Sequence, residues 1–180
     1  MANDPVSTAS VIEIRVENVA LLFDPLDPFP TPSRDLSKTA EDFIVEWARE
    51  LPRRNPIRLI LHVPSSDQHD LSELQVAFSN HFSQRVRRVN SDISELFGVG
   101  RLSLMIGLAT LVACVLGGQA AVMFLGSGSA ARIFSEGLII IGWVANWRPL
   151  EIFLYGWWPL ARRRTLYQRL AEMPIEVLTV

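Results

Sequence analysis

The apolar positions change period several times along the chain. In VIEIRVE, residues 11–17, Ile12, Ile14 and Val16 alternate with Glu13, Arg15 and Glu17. A period of two predicts a half-buried strand. Residues 36–51 place Phe43, Ile44, Trp47 and Leu51 at helical spacing, with Asp35 or Ser37 able to cap the start and Pro52 following the end. That pattern predicts a helix with those four residues inward. IRLILHV, residues 57–63, is a branched run between Pro56 and Pro64 and predicts a second strand. Strand, helix, strand predicts a parallel pair joined by a right-handed crossover. Then Leu71, Leu74, Phe78, Phe82, Val86, Val89, Ile93 and Leu96 recur at steps of three and four. They predict a helix of about 42 Å from Asp70 to Phe97, ending at a hinge marked by Gly98 and Gly100.

Beyond that hinge the pattern loses its polar face. Residues 102–125, LSLMIGLATLVACVLGGQAAVMFL, carry no charge and exceed the roughly 20 residues that span a bilayer. They predict a first transmembrane helix. Residues 126–136, GSGSAARIFSE, read as a connection. A second span is expected from about residue 137 to 158, because GLIIIGWVANW alone gives only about 16 Å of helix and the run through Trp158 gives about 33 Å. A chain that leaves the membrane near Trp147 and lies along its surface is the alternative. Arg85, Arg87, Arg88 and Arg101 precede the hairpin and Arg162, Arg163, Arg164 and Arg169 follow it, against Arg132 alone at the tip. The positive-inside rule then predicts cytoplasmic termini.

The second span carries its own chemistry. Arg148 and Glu151 are three apart and can pair on one helix face. Counted from residue 137 they fall about 16 and 21 Å along the helix. Pro149 frees a backbone carbonyl between them and the tip. In the first span Ala109, Ala113, Gly117 and Ala121 form an i+4 stripe of small residues that suits close approach of another helix. Gln119 and Asn146 fall near one level by the same count, which predicts a hydrogen bond between them.

After the hairpin come a short helix around LYQRLAEM and a β-rich end, IEVLTV, residues 175–180. That end is expected to pair with the first two strands. The domains expected are thus a cytoplasmic α/β domain over 1–97, a hairpin over 98–160, and a segment 161–180 that completes the α/β domain. The carboxyl edge of such a sheet is the usual ligand crevice. Two loops lead from it: the Pro-rich NVALLFDPLDPFPTPSRD, residues 18–35, and PSSDQHD, residues 64–70. Asp24, Asp27, Arg34 and His69 are the candidate loop site. Asp and Pro in turns more often serve the backbone, and no spacing here is diagnostic of a metal or a phosphate loop. His62 and His81 read as ordinary surface or core residues.

Composition changes this picture little. The chain has 180 residues, a net charge of −2 and a single cysteine, with mean hydropathy +0.22. The charge gives no global pull toward nucleic acid. Cys114 sits in an apolar run and reads as a small buried hydrophobe. The polar, acidic start MANDPVSTAS does not read as a cleavable signal peptide. No cofactor is expected and no catalytic residue is assigned. The basic stretches RVRR and ARRR suit anionic headgroups as well as they suit topology.

FDPLDPFP and GWVANWRPLEIFLYGWWPLARRR resemble stretches of a family of uncharacterised small bacterial inner-membrane proteins. The resemblance covers most of the chain and implies the same strand–helix–strand head and hairpin at that membrane. No activity comes with it, so no functional residue is carried over. The reading that follows is an α/β domain of two or three strands with helices, anchored by a two-helix hairpin. Its function is expected to be non-enzymatic: an accessory, scaffold or assembly subunit with a membrane-protein partner or a second copy of itself. The alternatives are a membrane-tethered enzyme using loops 18–35 and 64–70, or one component of an oligomeric transporter or channel.

Overall fold

A computed structural model describes residues 10–52, 55–64, 71–126 and 128–179. The chain divides into two compact units. One is formed by residues up to Val89 together with those from Arg162 onward; the other is Asn90–Ala161. We call them the head and the hairpin.

The head is built on a three-stranded sheet in the order β1 (Ser10–Arg15), β2 (Ile57–Val63), β3 (Ile175–Thr179). Both pairings are parallel, with Ile12 opposite Leu59 and Leu61 opposite Val177. β2 is central and alternates strictly: Ile57, Leu59, Leu61 and Val63 are buried, while Arg58, Ile60 and His62 are half-buried. Parallel neighbours need crossovers. The first is α1 (Lys38–Glu50). The second is the whole chain between β2 and β3, which includes α2 (Leu71–Leu125) and α5 (Trp158–Ala171).

Leu74, Phe78 and Phe82 from α2 and Leu170 from α5 are fully buried with Ile12, Ile44 and Leu59 in the head core. Side chains also tie the late segment in. The Gln75 amide donates to Met173 O at 2.9 Å and accepts from Ile175 N–H at 2.9 Å, so it holds the entry to β3. Arg169 donates to Pro52 O and Asn55 O, and Arg58 pairs with Glu176 at 2.9 Å.

α1 differs from its expected face. Glu41, Ile44, Val45 and Ala48 point inward, whereas Phe43 and Trp47 are more than two-fifths exposed and pair with each other outside. Large aromatics set the sequence periodicity. The buried stripe instead uses a small residue, which lets the helix lie close, and a carboxylate that finds partners inside. Ser37 is the residue that caps α1, accepting from Ala40 N–H.

The hairpin pairs the later part of α2 with α3 (Ser129–Val144), α4 (Trp147–Glu151), a π turn (Ile152–Gly156) and the start of α5. α2 has no break at Gly98 or Gly100, so the expected hinge is absent from the helix. Its last residue is followed by Gly126 at φ +77°, the left-handed position that commonly ends a helix. The turn is short, and α3 begins at Ser129 instead of residue 137. Arg132 and Glu136, which look like connection residues, lie on the exposed side of α3 with Ala131 buried. Two helices are long and apolar enough to cross a membrane, and only 17% of each apolar window is buried.

Candidate functional site

The hairpin contact is made by glycines. A Cβ on Gly142 would meet Leu111 Cδ1 at 2.7 Å and Leu111 Cα at 3.1 Å, and one on Gly107 would meet Asn146 Oδ1 at 2.7 Å and Ala145 O at 3.0 Å. Gly118 lies against Ser135 and Gly100 against Ile152 and Phe153 in the same way. These contacts fix an antiparallel register in which Gly118, Leu111, Gly107 and Gly100 of α2 meet Ser135, Gly142, Asn146 and Ile152. Asn146 is the buried polar residue of this contact. Its amide donates to Gly107 O at 3.1 Å and Gly142 O at 2.9 Å. Gly107 leaves room for that amide, and Asn146 links the two helices through backbone carbonyls.

Of the small-residue stripe expected to make this contact only Gly117 nears α3, where a Cβ would lie 3.4 Å from Leu138 Cδ1. Ala109 and Ala113 are exposed, and Gly117 and Ala121 only half-buried. Several small residues run along α2, and only the register selects 107 and 118 over 109 and 113. Gln119 and Asn146 are not brought together. Gln119 is exposed beside Gly118, and Asn146 meets Gly107, so their levels differ by roughly 18 Å of helix. The expected match came from starting α3 eight residues late.

The same register moves the ion pair. Arg148 Nη1 and Glu151 Oε2 are 3.0 Å apart. They lie between the levels of Gly107 and Gly100, near the start of the uncharged run 102–125 and far from its middle. Both side chains are at least half exposed, so the pair lies on the outside of the hairpin while Pro149 is buried against it. Beyond Pro149 the π turn re-phases the helix. Phe153 then stacks on Phe97 at 5.9 Å, and the Trp157 indole donates to Phe153 O. Trp147, Tyr155 and Trp158 are exposed around the same end.

In the head, the 18–35 loop is a folded strap. Asp24 Oδ1 accepts from Leu26 N–H and Asp27 Oδ1 from Phe29 N–H, while Asp27 Oδ2 takes Asp35 N–H at 2.8 Å. Arg34 donates through Nε to Asp24 O. The N–H groups of Asp35 and Phe29, with a smaller contribution from Arg34, hold the Asp27 carboxyl below its usual value of 3.8. Asp24, Asp27 and Arg34 therefore meet in one place, and each makes a bond that shapes the backbone. His69 and the rest of 65–70 lie outside the described residues. Among the described residues no group of three or more His, Cys, Asp or Glu could hold a metal.

Sequence reasoning missed a second polar group beside this strap. His81 on α2 is 4% exposed and Glu41 on α1 is 6% exposed. His81 Nδ1 lies 3.1 Å from Asp35 Oδ1 and accepts from Leu36 N–H at 3.2 Å; Nε2 is 3.4 Å from Glu41 Oε2. Arg85, one turn along α2, pairs with the same Glu41 oxygen. The signal available in the sequence was an His–Arg pair at i, i+4 on the face adjoining Phe78 and Phe82. A buried carboxylate on α1 could not be read from periodicity, which counts only apolar residues.

Comparison with protein-family models, with curated proteins and with solved structures finds no match to this chain.

Proposed function

We propose that this protein is an integral membrane anchor for a small α/β head, and that it works as a non-enzymatic accessory or assembly subunit. One observation carries the reading. The hairpin's apolar windows are turned outward, only 17% buried, while glycine and one asparagine fill its inside. A soluble two-helix unit would reverse that order, and lipid is the solvent that accepts it. A hairpin in a bilayer brings Arg148, Glu151 and Arg101 to one boundary, where long side chains snorkel and exposed Trp and Tyr are favoured. The cytoplasmic side of a bacterial inner membrane is the placement proposed for that boundary and for both termini, on the strength of the basic flanks and the sequence resemblance.

The accessory role rests on what the two units present. In the head, the candidate loop carboxylates Asp24 and Asp27 are occupied with backbone N–H groups, which suits a rigid displayed loop better than acid–base chemistry. In the hairpin, the Arg148–Glu151 pair faces outward, where a partner's membrane helix or a second copy would meet it. Extraction in a gentle detergent, followed by mass measurement of the intact assembly, tests this. A stoichiometric partner or a defined homo-oligomer that weakens with Arg148→Leu is expected. A lone monomer with unchanged behaviour in the variant overturns the accessory reading.

A further inference from the structure

Two neighbours of His81 Nδ1 make opposite demands on it. The Leu36 backbone N–H donates to it at 3.2 Å, which needs a lone pair. Asp35 Oδ1 lies 3.1 Å from the same atom, and a carboxylate there needs an N–H. One ring nitrogen carries either a proton or a lone pair. In neutral imidazole with the proton on Nε2, the Leu36 bond is made and Nε2 has no hydrogen-bond partner among the described residues, Glu41 Oε2 lying at 3.4 Å. In imidazolium Nδ1 donates to Asp35, the positive charge lies beside Glu41, and Leu36 N–H loses its acceptor.

The exchange takes place at the neck of a loop. Asp24 N–H donates to Asp35 O at 2.9 Å and Ser37 N–H to Leu22 O at 2.8 Å. Residues 24–35 therefore leave and rejoin the head at one point, as in an Ω-loop. Leu26 and Phe29 on this loop are 89% and 63% exposed. Leu36 sits in the neck and is itself buried. The charged groups that face the imidazole are Asp35 from the loop, Glu41 from α1 and Arg85 from α2 itself. Phe82 packs edge-on at 5.4 Å and brings no charge.

We propose that His81 is a proton-operated tie on the neck of the 24–35 loop. Taking up a proton trades the Leu36 backbone bond for one to Asp35 and places the charge beside Glu41, which Arg85 already pairs. A buried N–H left without an acceptor costs about the strength of a hydrogen bond, so the neck loosens at Leu36 when the histidine is charged. The loop that displays Leu26 and Phe29 therefore responds to the charge of this one side chain. This inference concerns the head alone and does not rest on the membrane reading.

The test is NMR of the full chain in detergent micelles, with ¹⁵N-labelled histidine and amide exchange read from pH 8 to 5. The three histidines are told apart with His81→Gln. At high pH Nδ1 of His81 should carry the shift of an unprotonated acceptor. On acidification the ring shift and the Leu36 amide shift should move with one midpoint, and Leu36 protection, corrected for intrinsic exchange, should fall about tenfold. In His81→Gln, whose amide oxygen can still accept from Leu36, the pH response of that amide should vanish. A wild-type His81 that keeps one protonation state throughout, or a Leu36 amide indifferent to its titration, overturns the proposal.

Discussion

In the head, α2 turns Leu74, Phe78 and Phe82 inward against the sheet. In the hairpin the same helix gives its neighbour Gly107, Leu111 and Gly118 and leaves Met105, Ile106 and Leu116 outside, each more than half exposed. One helix thus follows two opposite rules. The head hides large apolar side chains and closes over a charged group, Glu41 with His81 and Arg85. The hairpin hides small residues and an amide and shows its large apolar side chains. On the proposed membrane placement, the difference follows from the solvent each unit meets. Water drives big side chains together, whereas lipid gives them no reason to associate and leaves close backbone approach and hydrogen bonds to hold helices together.

The largest expected effect separates the two units by one kind of substitution. Phe78→Ala should cost the head about 3–5 kcal/mol in denaturant unfolding. Phe134→Ala, at a position 58% exposed on the hairpin, should stay within about 0.5 kcal/mol in detergent. Equal losses would mean that both units are packed for water. Next is overpacking. Gly142→Ile, placed where even a Cβ is too close to Leu111, should destabilise the hairpin by about 1–3 kcal/mol, read as a lower melting temperature in detergent; a variant as stable as wild type would mean that the register is different. Asn146→Ala removes two bonds to backbone carbonyls and should cost about 0.6–2 kcal/mol in the same assay, whereas Gln119→Ala, exposed outside the contact, should cost almost nothing.

The smallest effect is a pH dependence in the head. The folded-state carboxyl of Asp27 is held below 3.8, so the folded state favours its ionised form. Its contribution is present above that value and is lost as pH falls through the lower folded value. Melting curves from pH 5 downward should show this loss in wild type and a reduced one in Asp27→Asn. An identical acid profile would mean that the N–H groups of Phe29 and Asp35 do not distinguish the charged form.

Much of the head was legible in the sequence because alternation and branched runs report burial directly. β1 and β2 follow their patterns, and Leu74, Phe78, Phe82 and Val89 of α2 are all buried as their spacing implies. What was misread has one common cause: periodicity counts large apolar side chains. It put Phe43 and Trp47 inside α1, where Glu41 and Ala48 lie. It took Arg132 and Glu136 for a loop because they are charged, although an exposed helix face accepts charge. It took the line of Ala109, Ala113, Gly117 and Ala121 on α2 over the one that carries Gly107 and Gly118, since that choice depends on the register between the two helices. Of the candidate site, the turn-forming role of Asp24 and Asp27 was visible locally. The group of Asp35, Glu41, His81 and Arg85 was not, because its members come from three elements.

The hairpin is proposed to cross a membrane and return. Cysteine accessibility in oriented vesicles measures it directly. In a Cys114→Ser background, Ser129→Cys marks the turn and Arg163→Cys marks the far flank. An impermeant maleimide should label the two from opposite sides of the bilayer, with the protein resisting alkaline extraction. Labelling of both from one side, or release of the protein by alkali, would contradict the account.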